Sequence, residues 1–161
     1  MFNNAPEDYN CPFCLLAAGI ENESVISLQS DIVYKDEHLL AFICAQQWPY
    51  NKGHVLVIPR EHFENIYDLP DYLAWRIHSI ARRIAIAMKL AYQCDGISTR
   101  QHNEKCGDQE VWHYHLHVFP RYSEDSLYEI PEGDTMPVEE RSGYAALLKV
   151  FLSQQCEYPI Y

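Results

Sequence analysis

Apolar residues fall into short runs separated by polar turns, with one long stretch at helical spacing. Val25 to Leu28 and Ile32 to Tyr34 predict two short strands. Lys35-Asp36-Glu37 reads as a turn, and Leu39 to Cys44 as the strand that follows it. Lys52-Gly53 opens His54-Val55-Leu56-Val57-Ile58, a buried-strand pattern ended by Pro59. Leu73, Ile77, Ile80, Ile84, Met88 and Ala91 then recur at helical spacing behind Asp68 and Pro70, which predicts a helix over 70–93. Arg76, Arg83 and Lys89 fall largely on its opposite face. Beyond Gly96, Ile97 to His102 reads as a strand, Asn103 to Asp108 as a polar loop, and Val111 to Phe119 as the densest strand signal. The first ~20 residues read as irregular around a Cys11-Pro12-Phe13-Cys14 knuckle, and 123–137 as a loop rich in Glu, Asp and Pro. Tyr144, Leu147, Leu148 and Phe151 suggest a C-terminal helix. Strands, helix, strands, helix is the order of an α+β fold with a mainly antiparallel sheet.

The chain has 161 residues, which predicts a single domain. Lys plus Arg number 12 against 23 Asp plus Glu, a net charge of −11. That balance argues against a nucleic-acid polymer or an anionic membrane as partner, because both call for a basic surface. A small phosphorylated ligand needs only a local site and stays open. No apolar stretch approaches the ~20 residues of a membrane span, and the N-terminus is polar, so the expected location is the cytoplasm. Thiols stay reduced there, so the six cysteines read as free thiols or metal ligands.

His113-Tyr114-His115-Leu116-His117-Val118-Phe119 carries the sharpest chemistry. Strand side chains alternate, so the three imidazoles share one face while Tyr114, Leu116 and Val118 share the other. The second set should meet a core, and the first a cleft, a metal or water. Same-face neighbours lie roughly 6.5–7 Å apart at their bases, a gap that a phosphate or an ion can bridge. Three histidines within five residues, of eight in the chain, make a decorative surface strand a poor account. Neutral imidazole can ligate zinc, and it can also attack phosphorus and leave again.

The pattern His-φ-His-φ-His-φ-φ, with φ apolar or aromatic, resembles the signature of the histidine triad (HIT) superfamily of nucleotide hydrolases and transferases. A second block, Gly53-His54-Val55-Leu56-Val57-Ile58-Pro59-Arg60-Glu61-His62, is similar to the family's G-H-x-L-V-x-P strand and the histidine after it. The resemblance covers about residues 10–122. It implies a single HIT-like domain over 1–161, with 123–161 as a C-terminal extension. The implied fold is a mainly antiparallel sheet of about five strands, one long helix and a C-terminal helix. It also implies a homodimer whose two sheets form one surface. His115 matches the nucleophile that attacks the α-phosphorus of a nucleotide. His117 matches a phosphate-binding histidine that helps the leaving group depart, and His54 a fourth histidine close by.

Alone, Cys11-x-x-Cys14 fits redox chemistry, metal binding or small buried thiols. A branch of the HIT family carries such a pair as zinc ligands. The resemblance then implies Cys11, Cys14, His62 and His113 as a Cys₂His₂ set for a structural zinc. Cys44, Cys94, Cys106 and Cys156 have no pairing logic.

The sequence departs from the family at several positions. The phosphate-binding amide position is His102, with Asn103 beside it, and the usual Gly-Gln-Ser/Thr-Val run reads Asp108-Gln109-Glu110-Val111. Gln109 is kept as a candidate contact, but Glu110 places a carboxylate where it would repel phosphate. The ribose-binding Asp position holds Cys44, followed by Ala45 to Pro49 as an insertion. Phe42 is a candidate for stacking on the base, or a core residue. Two rival readings stay open: a hydrolase whose three histidines hold a catalytic zinc, and a non-catalytic nucleotide- or protein-binding module.

Overall fold

The computed structural model describes residues 2–129 and 133–154, so Cys156 lies outside the described residues. Its elements are α1 (Pro12–Ala18), β1 (Ile32–Lys35), β2 (Leu39–Ile43), β3 (Gln46–Gln47), β4 (Val55–Pro59), α2 (Asp71–Ala91), β5 (Gly96–Gln101), β6 (Leu116–Arg121), β7 (Asp134–Thr135) and α3 (Val138–Gln154). Five strands form one antiparallel sheet in the order β1-β2-β4-β6-β5, which is the α+β architecture expected.

Both faces of the central strands are covered, which explains why β2 and β4 read as unbroken apolar runs. Leu39, Ala41, Ile43, Val55 and Val57 face Leu73, Ile77, Ile84 and Met88 of α2, with Leu148 and Leu152 of α3 in the same cluster. Leu40, Phe42, Leu56 and Ile58 turn the other way and meet Phe13, Leu16 and Ala17 of α1. The β1–β2 turn is closed by Asp36, whose carboxylate accepts the N–H groups of His38 and Leu39 at 2.8 and 2.7 Å. The Tyr34 hydroxyl and Arg76 donate to it as well. Burial alone would raise this carboxyl; the four donors outweigh it and hold the pKa at about 2. Gly53, at φ +87°, sits where a Cβ would come within 2.7 Å of Tyr92 and 2.8 Å of Tyr144, so both backbone conformation and space select glycine.

Four features differ from the sequence-based expectation. Residues 12–18 are helical, because Pro12 stands at the first helical position, where its missing N–H costs nothing, and Gly19 supplies a left-handed C-cap. Val25 to Leu28 form no strand; Val25 N–H closes a turn onto the Asn22 carbonyl, and Gln29–Asp31 is a 3₁₀ turn. Strand β6 begins at Leu116, not Val111, since the N–H of Tyr114 is spent on the Phe63 carbonyl and that of His113 on Val111. Helix α3 starts at Val138, where the loop read over 123–137 ends, as expected. The segments read as an insertion and a loop meet in a two-stranded pairing, Gln46 with Thr135 and Gln47 with Asp134. Among the described residues no helix is long and apolar enough to cross a membrane.

Helix α3 is fastened through Arg141, which is fully buried. Its guanidinium pairs with Asp31 at 3.1 Å and donates to the carbonyls of Met136 at 2.8 Å and Ile26 at 3.0 Å. Those three partners sit on the segments bordering the cleft described next.

Candidate active site and metal cluster

The sheet face opposite α2 carries a cleft of about 650 Å³. Its floor holds His54, His115, His117 and Phe119, while Tyr114, Leu116 and Val118 point into the core under α2. The period-two alternation therefore runs back through His115 although the hydrogen-bonded ladder starts only at Leu116.

His115 is buried, and its Nδ1 lies 2.6 Å from the carbonyl oxygen of His113. A carbonyl can only accept, so Nδ1 carries the proton and Nε2 keeps its lone pair. Desolvation pulls the pKa of this ring down to about 4, leaving it neutral at physiological pH. His54 is fully buried, pulled down to about 3 by desolvation, and its Nε2 lies 2.9 Å from Nδ1 of His117. Nδ1 of His54 has no hydrogen-bond partner among the described residues. In the His54–His117 contact one facing nitrogen donates and the other accepts, so the two rings hold each other's orientation. With Nδ1 of His117 engaged by His54, its Nε2 is the nitrogen left for the cleft. Burial holds this ring well below its ordinary value too. His54 stacks on Phe119 with ring centroids 3.9 Å apart, which fixes its plane.

His102 follows the end of β5 and lines the cleft, its ring 5.5 Å from that of His117. Its Nδ1 donates to the Gly107 carbonyl at 2.7 Å, so Nε2 is the nitrogen left for the cleft. The neighbouring candidate Asn103 does not line the cleft. Its side chain accepts the Ile66 N–H at 2.8 Å and exchanges hydrogen bonds with Gln101. Gln109 is buried and occupied within its loop, bonding Glu104 N–H, the Glu64 carbonyl and the Val111 carbonyl. Phe42 is fully buried against Phe13 and does not line the cleft, so its position is that of a core residue. Cys44 and Glu110 both line the cleft, and burial pushes the Cys44 thiol up to about 12. Arg100 and Trp48 line it as well and were not anticipated. Arg100 lies on β5, whose short polar sequence does not tell one face from the other, and Trp48 in a segment that reads as an insertion.

The side chains of Cys11, Cys14, His62 and His113 converge at one end of the histidine run. Their ligand atoms all lie within 4.8 Å of one another. Nδ1 of His113 is 3.3 Å from Cys11 Sγ and 3.5 Å from Cys14 Sγ, and Nδ1 of His62 is 3.3 Å from Cys14 Sγ. A tetrahedral ion with ordinary Zn–S and Zn–N bonds spaces its sulfur and nitrogen ligands roughly 3.6 Å apart, so the donor set fits a metal. His113 donates Nε2–H to the Pro59 carbonyl at 2.9 Å, which turns Nδ1 to the thiols. The hydrogen bond from Cys14 and the nearby His113 hold the Cys11 thiol well below its ordinary value, while Cys14 is raised. The pair thus favours one shared thiolate even before a metal contributes. Because His113 is engaged here, the three imidazoles do not converge on a single ion, which removes the geometry of a three-histidine catalytic zinc.

Residues 26–124 match the family model of the HIT domain. The chain belongs to the HIT family. This HIT chain is 40% identical over 113 residues to the protein named "Protein hit" of Bacillus subtilis, spanning 70% of its own length and 72% of the relative's. It is 34% identical over 119 residues to the adenosine 5'-monophosphoramidase HNT1 of Saccharomyces cerevisiae, spanning 74% of its own length and 67% of that enzyme's. Among solved structures, it resembles a zinc-bound histidine triad family protein from Mycobacterium smegmatis. The TM-score is 0.75 at 28% identity, over 92% of this chain and 96% of that one.

Proposed function

We propose that this HIT protein is a nucleotide hydrolase or nucleotidyl transferase acting at the α-phosphate of a phosphoramidate, a dinucleoside polyphosphate or a similar nucleotide. The observation that carries the reading is the hydrogen bond from His115 Nδ1 to the His113 carbonyl, which leaves a neutral Nε2 lone pair in a cleft of nucleotide size. Nε2 attacks the α-phosphorus, the bond to the leaving group breaks, and a nucleotidyl-imidazole forms. Positive charge arising on the ring is met by the same carbonyl, now accepting from an imidazolium. His117 addresses the phosphate or the departing atom through Nε2, and His54 orients it from behind. His102 reaches the phosphate from the β5 side through Nε2. Water or another acceptor then attacks phosphorus, and His115 leaves. The relative named as a monophosphoramidase supports this reaction class.

Cys11, Cys14, His62 and His113 hold a structural zinc, consistent with their donor chemistry and with the zinc-bound relative. That ion would tie α1 and the loop after β4 to the start of the catalytic run, and no step of the reaction passes through it. The active form is a homodimer. Strand β5 ends the sheet, consistent with a second copy extending it at that edge.

The test is a hydrolysis panel of adenosine and guanosine phosphoramidates, dinucleoside polyphosphates and sugar nucleotides, with rapid quenching without acid and intact-mass measurement. A nucleotidyl adduct on His115 is expected, absent in His115→Ala. Normal turnover in that variant overturns the nucleophile. If nucleotides bind to the wild type without turnover, the chain is a binding module.

A further inference from the structure

The cleft is electrically uneven. Burial keeps the imidazoles of His54, His115 and His117 neutral, and Arg100 is the one lysine or arginine lining the cleft among the described residues. Glu110 lies towards the β2 side, near Cys44, whereas Arg100 lies on β5 at the other side. Arg100 stands directly opposite His117 in the β5–β6 ladder, so the two side chains share the cleft face.

The guanidinium is held without being neutralised. Its central carbon lies 5.0 Å from the ring centre of Phe119, 4.6 Å from Tyr128 and 5.9 Å from Trp48. One N–H donates to the Leu127 carbonyl at 3.2 Å. No carboxylate pairs with it among the described residues; its other polar neighbour is the Tyr128 hydroxyl. Arg121, at the end of the neighbouring strand, shows what a structural arginine looks like here. It makes two 2.7–2.8 Å bonds to Asp125 and a third to Ser98. An arginine fixed by aromatic faces, with no counter-ion, is a preorganised anion binder.

Its position says which anion. Arg100 pairs across the ladder with His117, one strand repeat beyond His115 and roughly 6.5–7 Å from it at the base. The guanidinium leans further still, over Phe119. It therefore addresses a second charged group rather than the phosphorus at His115. The opposite end of the cleft, with Phe13, Val25, Ile26 and Val111, is apolar and suits a nucleoside.

We propose that Arg100 binds the leaving group, and that this cleft selects nucleotides whose leaving group carries its own phosphate over those that release a neutral amine. This rests on the reaction proposed above. The bond from α-phosphorus to the bridging oxygen breaks as the His115–phosphorus bond forms. The electron pair departs with the phosphate oxygen, and Arg100 meets that charge as it grows.

The test compares an adenosine phosphoramidate with a diadenosine polyphosphate in wild type, Arg100→Gln and Arg100→Lys. Arg100→Gln should lower kcat/KM for the polyphosphate on the order of 10- to 100-fold while changing the phosphoramidate by no more than about twofold. Arg100→Lys keeps the charge and should recover part of the loss, which separates recognition from misfolding. Equal losses on both substrates, or none on either, overturn the proposal. Calorimetric titration with ADP and AMP runs in parallel, and wild type should favour ADP by a margin that Arg100→Gln abolishes. If wild type turns over neither substrate yet that margin disappears, the anion site stands and the reaction falls. If turnover is normal and the margin is unchanged, the reaction stands and the Arg100 site falls.

Discussion

His113 and His115 lie two residues apart, are both buried and face the same side of the sheet, yet their rings are oriented in opposite senses. His113 gives Nε2–H to the Pro59 carbonyl and turns Nδ1 to two thiols. His115 gives Nδ1–H to the His113 carbonyl and keeps Nε2 for the cleft. In each case a backbone carbonyl chooses which nitrogen is left over, and what that nitrogen meets decides the role. The His-x-His spacing brings both rings to one face but says nothing about the carbonyls.

The largest effects should separate the two halves. His115→Ala is expected to lower turnover about a thousandfold or more, with metal content and melting temperature close to wild type. Turnover by steady-state kinetics and zinc by elemental analysis check this, and loss of metal in that variant would break the separation. Cys11→Ser is expected to do the converse first. It should lose the metal and lower the melting temperature by about 10 °C, with activity falling only as the fold loosens. A metal-free wild type with unchanged stability would remove the metal half of the comparison.

A smaller effect concerns pH. His54 titrates at about 3 in the folded chain against about 6.5 when unfolded. The unfolded chain therefore binds a proton first, and this stability is complete above pH 6.5 and drains as pH falls toward 3. The slope is at most about 1.4 kcal/mol per pH unit. Asp36, held at about 2, adds a second loss only below its unfolded value of 3.8. Denaturant titrations across pH should show a flatter upper limb in His54→Gln. The smallest effect tests the bridge between the halves. Phe13 meets the edges of both rings, 5.8 Å from His113 and 5.5 Å from His115. Phe13→Leu should cost about 1 kcal/mol of stability and a few-fold in kcat/KM, with metal retained.

The sequence made the alternation of 113–119 legible because period two survives even where no ladder forms. The four ligand residues were legible only through family resemblance, since 48 positions separate Cys14 from His62. Phe42 was ambiguous for a physical reason: β2 is apolar on both faces, so its pattern cannot tell cleft from core. Asn103 and Gln109 have the right side chains for a phosphate, but loop hydrogen bonds with Ile66, Glu64 and Glu104 use them first. Helix α1 was hidden by Pro12, which breaks a helix anywhere except at its start. The two-residue pairing of β3 with β7 leaves no periodicity to read.

The fastening of α3 has a consequence for how such a protein can change. Ala45, Ile26 and Gly133 form part of the cleft border. The Met136 N–H bonds the Ala45 carbonyl, and Arg141 bonds the Ile26 and Met136 carbonyls. The end of the chain therefore holds the rim while the middle holds the reacting groups. Inheritance can act on the two separately: a new C-terminal segment offers a new opening for old chemistry, with no histidine exchanged.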